Sequence, residues 1–133
     1  MRKVLLPEKI GAEAMRLLQD YADVVVLDDP GEESIIREIH DVFGIVVRSR
    51  ARITRRVLET APELRVVSRT GAGYDNIDVP AATEHGVLVC NLPGINSVSV
   101  AEHTLALAFA LIKQLPLMDQ SVRTGRWDRR TEY

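Results

Sequence analysis

The sequence predicts an α/β fold: a five-stranded parallel sheet wound with helices on both faces. Three observations carry that expectation. Short β-branched runs alternate with segments whose apolar residues recur at helical spacing, from Val4 to Cys90. Turn-forming residues punctuate the changes, as at Pro7, Asp28-Asp29-Pro30-Gly31, Pro62 and Gly86. One helix-like segment separates each strand from the next, the arrangement of right-handed crossovers between parallel strands.

Val4-Leu5-Leu6 is the first strand, closed by Pro7. Ala14, Leu18 and Tyr21, with Met15 and Ala22, fall at helical spacing and predict the first helix. Asp23 to Leu27 is β-branched and reads as a buried strand. Ile35, Ile36 and Ile39 mark one face of a second helix, and Gly44 to Arg48 is the third strand. Thr54 can cap a helix carrying Val57 and Leu58, which Ala61-Pro62 ends. Leu64 to Ser68 is the fourth strand, followed by the bend Gly71-Ala72-Gly73. A short helix over about Val79 to Glu84 stops near Gly86, and Val87 to Cys90 is the fifth strand. The outline is flavodoxin-like, and ligands of such sheets sit outside the carboxyl ends of the strands. Those ends carry Arg48-Ser49, Gly71-Ala72-Gly73 and Asn91.

The pattern changes after Asn91. Leu92 to Asn96 is a loop, and Ser97 or Ser99 can cap a long helix with Glu102 in its first turn. From Leu105 to Ile112 that helix is apolar all round, which predicts burial in a larger core or between subunits. This run is too short to span a bilayer, and the N-terminal apolar run is too short for a signal peptide. A net charge of -2 gives no electrostatic reason to expect nucleic acid or an anionic membrane. Arg123, Arg126, Arg129 and Arg130 read as a solvated tail. The one cysteine, Cys90, suits a reducing cytoplasm, and its place in an apolar run predicts a buried, inert thiol.

Several chemistries lack their residues. Gly71-Ala72-Gly73 opens like a dinucleotide fingerprint, but Asn76 stands where G-x-G-x-x-G needs its third glycine. A phospho-receiver site would need an acidic pair where Pro7-Glu8 stands and an Asp where Arg48 stands. The histidines His40, His85 and His103 suit helix ends and hydrogen-bonded structural roles; Glu102, adjacent on the helix, cannot orient His103. No Ser/His/Asp arrangement is evident, and the His, Cys and carboxylate spacing suits no metal. Arg48 at a strand end can fork onto a carboxylate or pair with a nearby acid, and the glycine bend can offer amides to a small anion or be a plain turn.

The stretch Ser68-Arg69-Thr70-Gly71-Ala72-Gly73-Tyr74-Asp75-Asn76-Ile77-Asp78 resembles the D-2-hydroxyacid dehydrogenase family. Ala81-Ala82, His85-Gly86-Val87, Cys90-Asn91-Leu92-Pro93, Asn96 to His103, Gly125-Arg126-Trp127 and the earlier Val46-Val47-Arg48-Ser49 extend the likeness. Among its branches the D-3-phosphoglycerate dehydrogenases look nearest. The resemblance implies two doubly wound domains around a cleft, one for substrate and one for NAD and the catalytic Arg, Glu and His. Residues 1–95 would then be the substrate-binding domain, and 96–133 the crossover helix and start of a truncated cofactor domain. Arg48 and Ser49 would face the substrate, and the amides of Gly71, Ala72 and Gly73 would hold its carboxylate. Asn96 would lie beside substrate and nicotinamide, and Ala72 and Val100 beside the nicotinamide. The helix over 97–115 would form a homo-oligomer interface. Leu92 departs from the family, which often has threonine there. The family's catalytic residues would lie beyond Tyr133, so none is expected in this chain, nor is NAD expected to bind it. The runner-up is a non-enzymatic, corepressor-like or degenerate member of the same family.

Overall fold

Backbone pairing turns the β-branched runs into one sheet. In the computed structural model, which describes residues 1–126, the first part of the chain alternates strands and helices without exception. These are β1 (Arg2–Leu6), α1 (Ala12–Gln19), β2 (Ala22–Val26), α2 (Glu32–Glu38), β3 (Gly44–Val47), α3 (Arg55–Glu59), β4 (Val66–Arg69), α4 (Val79–Glu84) and β5 (Leu88–Cys90). All neighbouring strands are parallel, in the order β2-β1-β3-β4-β5. The expected α/β class with five parallel strands is therefore what the chain adopts.

Strand order decides where the helices go. From β1 to β2 the chain steps one way across the sheet, and every later step runs the other way. Right-handed crossovers then put α1 on one face and α2, α3 and α4 on the opposite face. Burial follows that division. Ile35 of α2, Val57 and Leu58 of α3 and Ala81 and Ala82 of α4 join Leu5, Ile45, Val47 and Val67 of the sheet in one core. The other face is covered less. On it Val46, Val66 and Ser68 are half-buried, and Leu88 is 62% exposed.

Three expectations are corrected by this geometry. Cys90 is exposed rather than buried, because β5 is an edge strand and Cys90 shares the thinly covered face with Leu88. Alternation along a strand sends Val89 to the core and its neighbours outward. β2, the other edge, is half-buried rather than buried. Ala22 opens β2 instead of closing α1, and Tyr21 is an exposed turn residue.

Local signals explain the helix ends. Thr54 accepts a bond from Val57 N at 3.4 Å, and Asp78 caps α4 through Ala81 N at 2.9 Å. Gly86 follows α4 at φ 67°, a left-handed conformation that favours glycine. His85 closes α4 with its Nδ1 2.9 Å from Ala81 O, a structural role.

The chain divides into two compact units, Met1–Ile95 and Asn96–Tyr133. The second holds α5 (Ser97–Ile112) and α6 (Leu115–Arg123). Neither Ser97 nor Ser99 is the N-cap of α5; Asn96 holds that position without a side-chain bond. Gln114 at φ 47° and Pro116 in the first turn of α6 separate the two helices. Within this chain the apolar run is exposed: Phe109 is 59% and Leu111 79% exposed. No single helix among the described residues is long and apolar enough to cross a membrane, although α5 and α6 pass that test together, bent by 59°. Of the terminal arginines, Arg123 pairs with Asp119 at 2.8 Å, while Arg129 and Arg130, like Trp127, lie outside the described residues.

Ion pairs join the helices on the well-covered face. Arg55 of α3 forks onto Glu84 of α4, and Arg56 reaches Glu32 and Glu33 of α2. Hydrogen bonding and then charge from Arg55 and Arg56 hold the carboxyls of Glu84 and Glu33 below the usual range. A lowered folded-state value means stability that is present at neutral pH and lost as pH falls through that value. Thermal melts of Arg55→Ala and Arg56→Ala should therefore differ from the parent at neutral pH, and that difference should shrink on acidification below the ordinary carboxylate range. Leu5, fully buried at the sheet centre, sets the contrasting scale: Leu5→Ala should cost about 2–5 kcal/mol in denaturant unfolding.

Candidate functional site

The carboxyl ends of β3 and β4 lie side by side. Val47 is in register with Arg69, and Thr70 N donates to Val47 O at 3.0 Å. Arg48-Ser49 and Gly71-Ala72-Gly73 therefore leave adjacent strands at the same level. The loops that follow are stitched together. Ile53 N donates to Asn76 O at 2.9 Å and Asp78 N to Ile53 O at 2.8 Å, an isolated parallel bridge between Ile53 and Ile77. The side chain of Asn76 adds two more bonds, from Nδ2 to Arg48 O at 3.0 Å and to Ala51 O at 2.7 Å.

The glycine bend is anchored from the β5 side. Asn91 Nδ2 donates to Ala72 O at 2.8 Å, and Leu92 N donates to Gly71 O at 3.0 Å. Both carbonyls are thereby turned toward the continuation of β5. In a trans peptide the N–H points opposite to the C=O of the same unit, and the chain has no cis peptide among the described residues. The N–H groups of Ala72 and Gly73 consequently point away from β5, toward the side where β3 ends. Neither they nor Gly71 N–H donates to any protein acceptor among the described residues. Gly71 has its own constraint: a Cβ there would come within 2.5 Å of Arg69 Nη1. The Arg69 guanidinium thus covers Gly71, and Arg69 Nε is buried without a partner among the described residues.

Arg48 does not lie against the bend. Its backbone is next to β4, but Nη1 donates to Lys9 O at 3.1 Å, across β1. β3 lies between β1 and β4, so the guanidinium leans away from Gly71. The bond joins an exposed side chain to a carbonyl, a contact worth about 1 kcal/mol, which a carboxylate ligand can outcompete. On that side the ends of β1, β2 and β3 enclose a crevice of about 400 Å³, lined by Glu8, Lys9, Asp28, Arg48, Ser49 and Arg50 among others. Lys9 and Arg50 add positive charge there. Glu8 is buried, and its Oε1 accepts from Arg50 N at 3.0 Å and Ala51 N at 3.1 Å.

Five of the seven residues singled out from sequence thus belong to one sheet edge: Arg48, Ser49, Gly71, Ala72 and Gly73. Asn96 and Val100 belong to the second unit, where Asn96 O accepts from Val100 N at 2.9 Å at the start of α5. Sequence reasoning passed over Glu8, Asn76 and Arg69. Asn76 registered only as a missing glycine and Glu8 only as a missing acidic pair. A better signal for both is an amide or carboxylate placed directly at a strand's carboxyl end, where loop backbone needs partners. Among the described residues no group of three or more His, Cys, Asp or Glu side chains could hold a metal ion.

NAD as a whole does not fit this bend. A third glycine is missing at Asn76, whose side chain is consumed by two loop carbonyls, and the helix that follows, α4, has six residues.

Comparison with known proteins gives the chain a family. The D-isomer specific 2-hydroxyacid dehydrogenase catalytic-domain family matches residues 4–125. D-3-phosphoglycerate dehydrogenase of Methanocaldococcus jannaschii is 39% identical over 98% of this chain and 25% of its own length. The chain therefore spans about a quarter of that curated relative. Among solved structures, a protein of Pyrococcus horikoshii superposes with TM-score 0.81 at 38% identity, covering 96% of this chain and 38% of the other. NAD-dependent formate dehydrogenase of Staphylococcus aureus, solved with NAD, superposes with TM-score 0.81 at 27% identity, covering 98% and 44%. A match that runs through β1 to α6 and includes both stitched loops leaves one assignment: this chain belongs to the D-isomer specific 2-hydroxyacid dehydrogenase family.

Proposed function

We propose that Met1–Ile95 is the substrate-holding lobe of an NAD-dependent dehydrogenase acting on a D-2-hydroxyacid, in the manner of the D-3-phosphoglycerate dehydrogenases that the chain is similar to. One observation carries the reading: the amides of Ala72 and Gly73 are unengaged among the described residues, anchored from behind, and directed toward the side where the neighbouring strand ends. Amides fixed before the ligand arrives form an anion nest with little reorganisation on binding. A substrate carboxylate seated there lies beside Ser49 and within the sweep of Arg48. The guanidinium would exchange its bond to Lys9 O for a charge-assisted fork.

This lobe would bind and orient. NAD would supply or accept the hydride at C2, and its pyrophosphate would be held by residues other than the bend. Asn96 and Val100, at the start of α5, would border substrate and nicotinamide, and Ala72 would reach the nicotinamide from the substrate side. Residues 96–133 would begin the cofactor domain. The reading places the protein in the cytoplasm, where a free, exposed Cys90 stays reduced, and assigns it neither a nucleic acid nor a membrane partner. The α5 surface would associate with a second copy, since Leu105, Leu107, Phe109, Leu111 and Ile112 are all more than half exposed.

A nitrogen-15 amide titration of the 133-residue chain with D-glycerate tests the nest. Ala72 and Gly73 should shift together with Ser49, and Arg48→Ala should weaken binding about ten- to hundredfold, the loss expected for a charge-assisted bond. Calorimetry with NAD on the same chain should show no binding, and a micromolar dissociation constant would refute the division of labour. If D-glycerate leaves all three amides unmoved, the corepressor-like reading replaces the enzymatic one.

Sedimentation addresses the α5 surface. The chain should exceed monomer mass at high concentration, and Phe109→Glu should return it to monomer; a strictly monomeric parent would count against the interface.

A further inference from the structure

We propose that Glu8 and Asn76 are positioning residues that fix the backbone from which Arg48 and Ser49 reach the substrate, an inference that rests on the carboxylate-binding reading above. The segment from Arg48 to Ala51 is gripped from two sides. Glu8, just past β1, takes the N–H groups of Arg50 and Ala51 on one oxygen, at 3.0 and 3.1 Å. Asn76, beyond the glycine bend, places both hydrogens of one amide on the carbonyls of Arg48 and Ala51, at 3.0 and 2.7 Å. Four bonds from two side chains thus fix a segment of four residues that belongs to no strand or helix.

The peptide planes show what the grip achieves. Arg48 O is turned toward Asn76, so the N–H of Ser49 in the same plane is turned away from it. Ser49 N–H donates to no acceptor among the described residues. Without Asn76 that plane has no side-chain restraint and can rotate. Glu8 restrains the next two planes, which set the direction in which the chain carries Arg48 and Ser49 out of β3.

The identity of Glu8 also needs explaining. A carboxylate that is 9% exposed is seldom tolerated without compensation. It forms none of the ion pairs among the described residues. Its compensation is the pair of loop amides, and Glu8 lines the crevice together with Lys9, Arg48 and Arg50. The buried acid therefore orders the loop backbone at the floor of that crevice.

Conservative and disruptive variants separate positioning from mere stability. Asn76→Asp keeps the shape and removes the donors; Glu8→Gln keeps an acceptor, and Glu8→Ala removes it. In D-glycerate titrations of the 133-residue chain, Asn76→Asp and Glu8→Ala should lose the Ser49 amide response and keep those of Ala72 and Gly73. Their affinity should fall about tenfold, the scale of one lost hydrogen bond, while Glu8→Gln stays near the parent. Amide exchange at Arg50 and Ala51 should accelerate in Glu8→Ala. An unaltered Ser49 response in both disruptive variants would overturn the inference and leave the carboxylate reading standing. So would a loss of all three responses in step with a lowered melting temperature. A parent chain with no response at Ala72 and Gly73 would sink both.

Discussion

The carboxamide of Asn76 is the contact on which this sheet edge depends. One side chain ties Arg48 O and Ala51 O to the loop that follows the glycine bend. Strand pairing alone ends at Val47 and Arg69. Beyond that point two loops leave neighbouring strands with unpaired backbone groups, and buried or half-buried backbone must find partners. Asn76, the Ile53–Ile77 bridge and Glu8 supply them. The loops become an extension of the sheet in which side chains replace the missing ladder. A site made of backbone amides needs this more than a site made of side chains, because an amide can be aimed only by fixing its peptide plane.

The same economy appears at the bend. Asn91 and Leu92 engage the carbonyls of Ala72 and Gly71 from behind, so the amides in those planes face the other way. A Cβ at position 71 would meet the Arg69 guanidinium, which would have to shift to make room for it. The arginine in turn is held where its Nε has no acceptor among the described residues. Leaving a buried donor unpaired costs about 1–3 kcal/mol. That cost is set against a guanidinium closely packed on the bend.

The sequence made the sheet and its helices legible because each signal was local. The Thr54 cap and the stop at Gly86 are read from neighbouring residues and are present as read. Burial was read less well, because it depends on strand order. Asp23 to Leu27 looks like a buried strand, yet β2 is an edge. Cys90 ends an apolar run, yet it shares the thinly covered face of the sheet with Leu88. Within the candidate site, the residues that would meet a ligand stand out by type: arginine at a strand end, glycines in a bend. Those that aim them do not. Glu8 and Asn76 lie 42 or more positions and 25 or more positions from the backbone they hold, and no local pattern connects them.

Strand order also explains why the site is divided between two loops. The chain reverses direction across the sheet between β1 and β3, and a crevice opens at such a reversal because the helices on either side diverge. The volume lined by Glu8, Lys9, Arg48 and Ser49 lies at that point. The glycine bend lies one strand further along, after β4, where the backbone amides of Ala72 and Gly73 are on offer. Arg48 stands between them and has reach to either, with its guanidinium turned to the β1 side and its backbone tied to the β4 side. A ligand held by the bend must therefore draw that guanidinium across β3. The backbone beneath it has to stay still while the side chain moves, and that is the condition that the bonds from Glu8 and Asn76 meet.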